Sequence, residues 1–218
     1  MTYTMDKMLI PVWEWSDALH TISHKFPHRY KDFAASIRKN QWQSKTWLME
    51  RLAVINDKEN PVIWVLGSWY GSVIVPLIFN YIPDVKRVHL FDYDKEVFEI
   101  CHTLHKRWNN KIVRHDHDIN FEFPHFQYYP EEQLPDIIIN TSCEHMYHMK
   151  ALDIKKEDIL CAFQSNNFNL EDAHINIAKN LEHFKEQCGL HFIEYEGSIP
   201  FHDVKDDYER YMLIGYYQ

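Results

Sequence analysis

The sequence predicts an α/β protein built on a doubly wound, seven-stranded sheet that is mostly parallel, with its last strand antiparallel. Three observations predict it. A strand–glycine turn–helix–strand unit lies at 61–94, further apolar runs alternate with helical patterns, and two adjacent strand-like runs close the chain. We expect residues 1–58 to form an N-terminal helical cap and residues 59–218 to form the α/β domain.

The N-terminal region predicts two helices between Arg29 and Ile55, the second beginning at Gln41. Its apolar residues recur at three- and four-residue spacings, which is typical of a helix that packs on a sheet. We therefore expect a cap packed against the sheet. A sharper interpretation is that the cap covers a ligand site, with Ser44 or Lys45 reaching inward.

The strand–turn–helix–strand unit begins with the apolar run Val62–Leu66, which Gly67 interrupts. Gly71 closes the turn, and an apolar stretch of helical length follows over residues 73–81. The next strand-like run ends on Asp92. The chain has only five glycines and two of them lie in this turn, so we expect the turn to need backbone freedom.

The spacing of this unit predicts a ligand that contains adenosine. Asp92 lies 21 residues after Gly71, and an acid about 20 residues past such a turn binds ribose hydroxyls in open α/β sheets. A dinucleotide fingerprint starting at Gly67 would need two more glycines where the chain has Trp69 and Ser72. A nucleoside without phosphates fits better, and S-adenosylmethionine (SAM) is the common one.

Composition disfavours several classes of function. The formal net charge is −9 and no basic block is present, so we expect no strong non-specific nucleic-acid binding. Residues 61–83 carry no charge, but the glycine turn and Pro76 divide this run, so we expect no membrane segment. The cysteines form no C-x-x-C pair and no signal peptide is recognisable, which predicts a cytoplasmic protein.

Alternating histidine and aspartate follow the third strand-like run at 112–113, after a helix predicted from Lys95. On a strand the two residue types point to opposite faces, which separates the potential metal ligands. One aspartate can instead reach the adenine of a ligand whose ribose meets Asp92. We prefer Asp118, with Asp116 second; the alternative for either is a solvated loop acid.

A polar cluster follows the fourth predicted strand, 136–140. Polar groups at the carboxyl end of a central parallel strand lie where substrate meets cofactor in doubly wound sheets. Glu144 and His145 are the candidate catalytic acid/base groups. Asn140 and Ser142 are candidate hydrogen-bonding groups for the ligand.

Two other interpretations of this cluster are weaker. Cys143 has no activating base nearby except His145, so we expect a small packed residue and not a nucleophile. Glu144, His145 and His148 offer metal-ligand atoms, but no matching further pair of ligands follows in the sequence, so we predict no metal site.

The rest of the chain continues the alternation of predicted strands and helices. Residues 119–135 have no helical period, so this connection is either abbreviated or a loop over the site. A fifth strand is predicted at 158–163 and runs into a further polar strand end at 164–167, where the two asparagines have turn chemistry as the alternative. A helix over 171–187 ends at Gly189. Two terminal strands are predicted as an antiparallel pair, at 190–195 and 210–216.

Four segments give the chain a resemblance to a known family: VLGSWYG, FDYD, HDHDIN and IIINTSCEHM. Over residues 60–218 it resembles the Rossmann-like class I SAM-dependent methyltransferases. The glycine turn together with the Asn-Thr-Ser-Cys-Glu-His segment also resembles a group of small methyltransferase-like proteins of tailed phages. That second resemblance would place the protein in the cytoplasm of the host.

The resemblance implies SAM as cofactor and a role for each matching position. The methionine and ribose part of SAM would be cradled by Gly67, Ser68, Trp69, Tyr70 and Gly71. Asp92 would bind the ribose hydroxyls, and Asp118 or Asp116 would lie near the adenine. The methyl-transfer side would be lined by the segment Asn140 to His145, with Glu144 or His145 removing a proton.

Two departures from the family pattern matter. The acid that often precedes the first glycine by two residues is replaced by Val65, and no aromatic-Pro-Pro motif of amino methyltransferases follows the fourth strand. We predict a methyltransferase that acts on an unidentified acceptor, which is a small molecule, a protein or a nucleic acid. The alternatives are another SAM-consuming enzyme (cleavage or alkyl transfer) and a non-catalytic binding or assembly module.

Overall fold

The computed structural model describes residues 10–151, 154, 158–169, 173–202 and 207–217. Across these residues the α-helices are α1 (Val12–Lys25), α2 (Tyr30–Ser36), α3 (Lys39–Ile55), α4 (Ile74–Tyr81), α5 (Lys95–Leu104) and α6 (Leu181–Cys188). The strands are β1 (Val62–Leu66), β2 (Arg87–Asp92), β3 (Ile112–Asp116), β4 (Ile137–Asn140), β5 (Leu160–Asn166), β6 (Phe192–His202) and β7 (Asp207–Tyr216).

The strands form one seven-stranded sheet in the order β3-β2-β1-β4-β5-β7-β6. Strands β1 to β5 pair in parallel, and β7 runs antiparallel to both of its neighbours, β5 and β6. This confirms the predicted fold class. The chain order reverses direction across the sheet between β1 and β4, and the carboxyl ends of the strands at such a switch point form the usual ligand crevice.

Both faces of the sheet are covered, which explains why β1 is buried along its whole length and apolar throughout. On one face α3 and α4 contribute most of the helical core, and Val65 of β1 points into this layer. An acid at position 65 would therefore lie in an apolar layer, and the valine found there fits this environment.

The opposite face is covered by α6 and by the connection between β3 and β4. In that connection Phe126 and Tyr129 pack on the buried Trp64, with ring centroids 5.5 and 4.8 Å away. The Trp64 indole also donates to the Gln133 carbonyl at 3.0 Å. The connection over residues 119–135 is abbreviated, with 3-10 turns in place of a helix, and its first residues, Ile119 and Asn120, also line the cavity described below.

The structure differs from the sequence-based expectation in two helical regions. Helix α1 was not predicted, because its mixture of tryptophan and polar residues shows no clean period. The helix predicted over 171–187 begins only at Leu181, where the Asn180 side chain accepts the His183 N–H at 2.8 Å as an N-cap. Residues 173–180 are irregular, and Gly189 ends α6 with φ +68° as expected.

The N-terminal helices pack over the glycine turn and α5. Phe33 of α2 meets Tyr70 of the turn edge-on, with ring centroids 5.3 Å apart, and both side chains are fully buried. The cap is thereby fixed over the carboxyl ends of the strands. Its division from the sheet as a separate domain at residue 58 stays a prediction. Among the described residues, no helix has both the length and the apolar character needed to cross a membrane.

Candidate functional site

A cavity of about 780 Å³ lies at the carboxyl ends of the parallel strands, beneath the cap. Seven of the predicted site residues line it: Gly67, Trp69, Asp92, Asp118, Ser142, Glu144 and His145. The cap contributes lining residues that the sequence did not single out, among them Arg29, Asp32, Arg38 and Gln41. The volume is in the range of small-molecule sites.

The glycine turn at one end of the cavity needs its two glycines for conformation. Gly67 and Gly71 have φ of +60° and +61°, which side chains with a Cβ rarely adopt. A Cβ on Gly71 would also lie 2.9 Å from a methyl of Val75. Trp69 has φ +49°, and this geometry aims its N–H at the Asp92 carboxylate, 2.7 Å away.

Asp92 is held at the end of β2 with its carboxylate beside the turn. Its second oxygen accepts the Asp94 N–H at 3.1 Å. Burial raises the pKa of Asp92, and the backbone donors of Asp94 and Trp69 oppose that shift. Because a carboxylate has about four lone-pair sites, two backbone donors leave acceptor capacity on a residue that lines the cavity.

The structure distinguishes between the two candidate adenine-side acids. Asp118 lines the cavity, and its carboxylate accepts the N–H of Asn120 at 2.9 Å. Asp116 does not line the cavity and pairs with Lys95 on the surface at 2.8 Å. If one aspartate meets the ligand, the geometry favours Asp118.

Five predicted cofactor residues do not line the cavity: Ser68, Tyr70, Gly71, Asp116 and Asn140. Tyr70 is buried in the core, and its hydroxyl donates to Asp32 at 2.7 Å. Asn140 is fully buried and accepts the N–H of Ser142 at 2.8 Å. These two side chains shape the cavity wall from behind.

The cap is fastened to this end of the cavity by charged groups. Asp32 accepts from the Trp69 indole at 3.1 Å as well as from Tyr70. Arg29 pairs with Asp94 and Glu96, which raises the pKa of its guanidinium. These contacts join the cap to the turn and to the start of α5.

At the opposite end of the cavity, Glu144 forms a buried charge network. Its Oε1 accepts from Asn166 at 2.5 Å and from Arg210 at 3.2 Å. Glu144 is 3% exposed and Arg210 is 6% exposed. The other oxygen, Oε2, is buried and has no hydrogen-bond partner among the described residues. One oxygen of the Glu144 carboxylate is therefore hydrogen-bonded, and the other has no partner among the described residues.

Sequence reasoning missed Arg210 and identified Asn166 only as part of a polar strand end. Arg210 opens an apolar run in β7, and a charged residue in a buried strand was the signal that could have identified it. Cys143, next to Glu144, is buried, and burial raises the pKa of its thiol well above the usual value. This environment disfavours the thiolate, in line with a packed residue.

His145 and His174 lie beside Glu144, with ring centroids 4.6 Å apart. Nδ1 of His145 bonds the Ala173 carbonyl at 3.1 Å, and Nδ1 of His174 bonds the Phe168 carbonyl at 2.6 Å. His174 falls within the helix predicted over 171–187, but the structure has an irregular segment there, which brings His174 to the cavity.

Neither Lys45 nor Ser44 lines the cavity. The Lys45 ammonium donates to the side-chain oxygen of Gln41, a residue that lines the cavity. Burial, together with the charge of Arg210, lowers the pKa of Lys45 from its ordinary 10.5 to about 7, with Glu144 opposing the shift. The sharper interpretation is right that the cap covers the cavity, but the cap reaches it through other residues.

We expect Lys45→Met to increase the free energy of unfolding more near pH 6 than near pH 10. The folded pKa of about 7 lies below the ordinary 10.5, so the unfolded chain binds the extra proton between these values, and wild-type stability rises with pH across that window. A methionine has no such titration. Urea unfolding of both proteins at about pH 6, 8 and 10 measures the difference; a constant difference would contradict the shift.

Comparison with known proteins gives the fold and not a family. No protein-family model and no curated protein sequence matches the chain. A precorrin-6y methyltransferase of Geobacter metallireducens superposes with a TM-score of 0.50 at 12% identity, covering 84% of this chain and 90% of that one. The N-methyltransferase NodS of Bradyrhizobium japonicum also gives 0.50, at 13% identity, covering 80% and 96%. The chain thus has the fold of these methyltransferases.

Proposed function

We propose that this protein is a SAM-dependent methyltransferase whose cofactor lies across the strand ends. The ribose would meet Asp92, the adenine would lie beside Asp118, and the methionine end would extend over Gly67 toward Glu144. One observation carries the proposal. The Asp92 carboxylate is held by the N–H of Trp69 at the edge of a 780 Å³ cavity and keeps acceptor capacity there.

Catalysis would then rest mainly on orientation, since holding a sulfonium methyl in line with a nucleophile removes most of the entropic cost of the encounter. The acceptor would occupy the end of the cavity formed by Glu144, His145 and residues of β7. Two atoms there can take a proton from it: Oε2 of Glu144 and the ring nitrogen of His145 that does not bond Ala173. The role of both residues as catalytic groups stays a prediction.

A thermal-shift experiment with S-adenosylhomocysteine, SAM and NAD tests the cofactor. A ligand that binds only the folded chain raises the melting temperature by mass action. We expect stabilisation by the two sulfur nucleosides and none by NAD. Stabilisation by NAD alone, or by none of the three, would contradict the proposal and favour a dehydrogenase or a non-catalytic module, respectively.

Product analysis then separates the SAM reactions. Incubation with SAM labelled in its methyl group and fractions of small-molecule, protein and nucleic-acid extract should transfer the label to one fraction and release S-adenosylhomocysteine. Release of methylthioadenosine instead would identify cleavage or alkyl transfer.

A further inference from the structure

Glu144, His145 and His174 bring three metal-ligating atoms to one place at the end of the cavity. One atom from each residue lies within 4.8 Å of the other two. Ligand atoms around a tetrahedral ion are about 3.4 Å apart, given bonds of about 2.0–2.1 Å. His145 is exposed, so a side-chain movement of about 1 Å that closes the set meets little packing resistance.

The hydrogen bonds of both imidazoles leave the correct nitrogen available. Each ring bonds a backbone carbonyl through Nδ1, which requires the proton on Nδ1 and leaves Nε2 as a lone-pair donor. Ligating histidines almost always donate their other ring N–H in this way, and the bond fixes the tautomer and the ring orientation. Among the described residues, neither Nε2 has a hydrogen-bond partner.

Glu144 supplies the third atom and the only negative charge of the set. Its Oε2 is buried without a partner, while Asn166 and Arg210 hold Oε1. An unpartnered buried carboxylate oxygen is costly, and a cation would satisfy it. The carboxylate is also oriented by donors on its far side, as ligating carboxylates usually are.

The backbone holds His174 next to Glu144. Ile175 N and Asn176 N both donate to the Glu144 carbonyl, at 2.9 and 3.0 Å. His174 is therefore positioned by two hydrogen bonds to the residue with which it would share an ion. This juxtaposition could not be predicted from the sequence, because His174 lies 29 positions after His145.

We propose that Glu144, His145 and His174 form a site for a divalent transition-metal ion of the zinc class. Two imidazoles and one carboxylate suit such ions better than Mg²⁺ or Ca²⁺, which prefer oxygen ligands. Three protein ligands leave a position open toward the cavity, as in catalytic sites. An ion there would take over the proton-accepting role of these atoms by lowering the pKa of a bound hydroxyl.

Cobalt(II) titration of metal-free protein tests the site without SAM, so a negative result would leave the methyltransferase proposal standing. We expect one equivalent of Co²⁺ to give visible d–d absorption, and zinc to displace it. The matched variants are His174→Gln, His145→Gln and His148→Gln. His148 lies in the same segment but outside the cluster. The first two should weaken binding at least about 10-fold, since loss of even an outer-shell partner of a ligand costs about 10- to 100-fold in metal affinity, and the third should bind like wild type.

The chain has 15 histidines, so binding that persists in both His174→Gln and His145→Gln would identify adventitious sites and overturn the proposal. Absence of Co²⁺ absorption in the wild type would overturn it too. The melting temperature of each variant without metal controls for misfolding, and His145→Gln is the safer of the two because that side chain is exposed.

Discussion

Asp92→Asn is expected to weaken the binding of S-adenosylhomocysteine by about 10- to 100-fold. The substitution keeps the size of the side chain but removes the charge that would accept the ribose hydroxyls, and a hydrogen bond to a charged group contributes about 1.5–3 kcal/mol. The Trp69 N–H that now bonds Asp92 at 2.7 Å would keep an oxygen acceptor. Isothermal titration of the wild type and the variant measures the change.

Asp116→Asn is the matched control. Asp116 is the β3 residue that pairs with Asp92 in the register of the sheet. It carries the same charge as Asp92 but pairs with Lys95 outside the cavity. We expect this variant to bind S-adenosylhomocysteine like the wild type. If the wild type and Asp92→Asn bound S-adenosylhomocysteine with equal affinity, the proposed contact between Asp92 and the ribose would be contradicted. Equal losses of affinity in both variants would indicate a general effect of surface charge.

The sheet could be predicted because its pattern is local. Each buried strand is a short apolar run that ends in a glycine, an acid or a polar cluster, and the covered faces make those runs continuous. The predicted helix at 171–187 begins several residues before α6 does, because Ile175 and Ala178 fit the same helical period as the apolar residues of α6. Asn180 was the better signal, since asparagine is favoured as an N-cap.

Part of the candidate site could be predicted for a similar reason: seven of the predicted site residues line the cavity. Gly67, Asp92 and Glu144 lie at strand ends, where topology alone places them at one edge of the sheet. Arg210 and His174 reach that edge from β7 and from an irregular segment. Their positions depend on tertiary contacts that no spacing encodes, such as the two N–H groups that bond the Glu144 carbonyl.

Tyr70 and Asn140 belong to segments that the resemblance to methyltransferases places around the ligand, yet neither residue lines the cavity. Both side chains are buried: the Tyr70 hydroxyl donates to Asp32, and Asn140 accepts the N–H of Ser142. A motif gives the backbone path near a ligand. Which side chains face the ligand depends on the local φ and ψ; around Tyr70, the residues Gly67, Trp69 and Gly71 have positive φ.

Arg210→Met is expected to lower the free energy of unfolding by about 3–5 kcal/mol, the usual cost of removing one partner from a buried ion pair. The Glu144 carboxylate is 3% exposed and would keep only Asn166 as a donor. For a chain of this size the melting temperature should fall by about 6–20 °C. Thermal and urea unfolding of the metal-free protein measure both quantities.

The double variant Arg210→Met with Glu144→Gln separates the charge pair from simple packing loss. Glutamine keeps an oxygen for the Asn166 amide, which now bonds Glu144 at 2.5 Å, and no buried charge remains without a partner. Since neutral replacement of a buried pair is often tolerated, the double variant should be more stable than Arg210→Met alone. If the two losses add instead, the carboxylate and the guanidinium are not energetically coupled, and the stability of this end of the cavity comes from packing around β7.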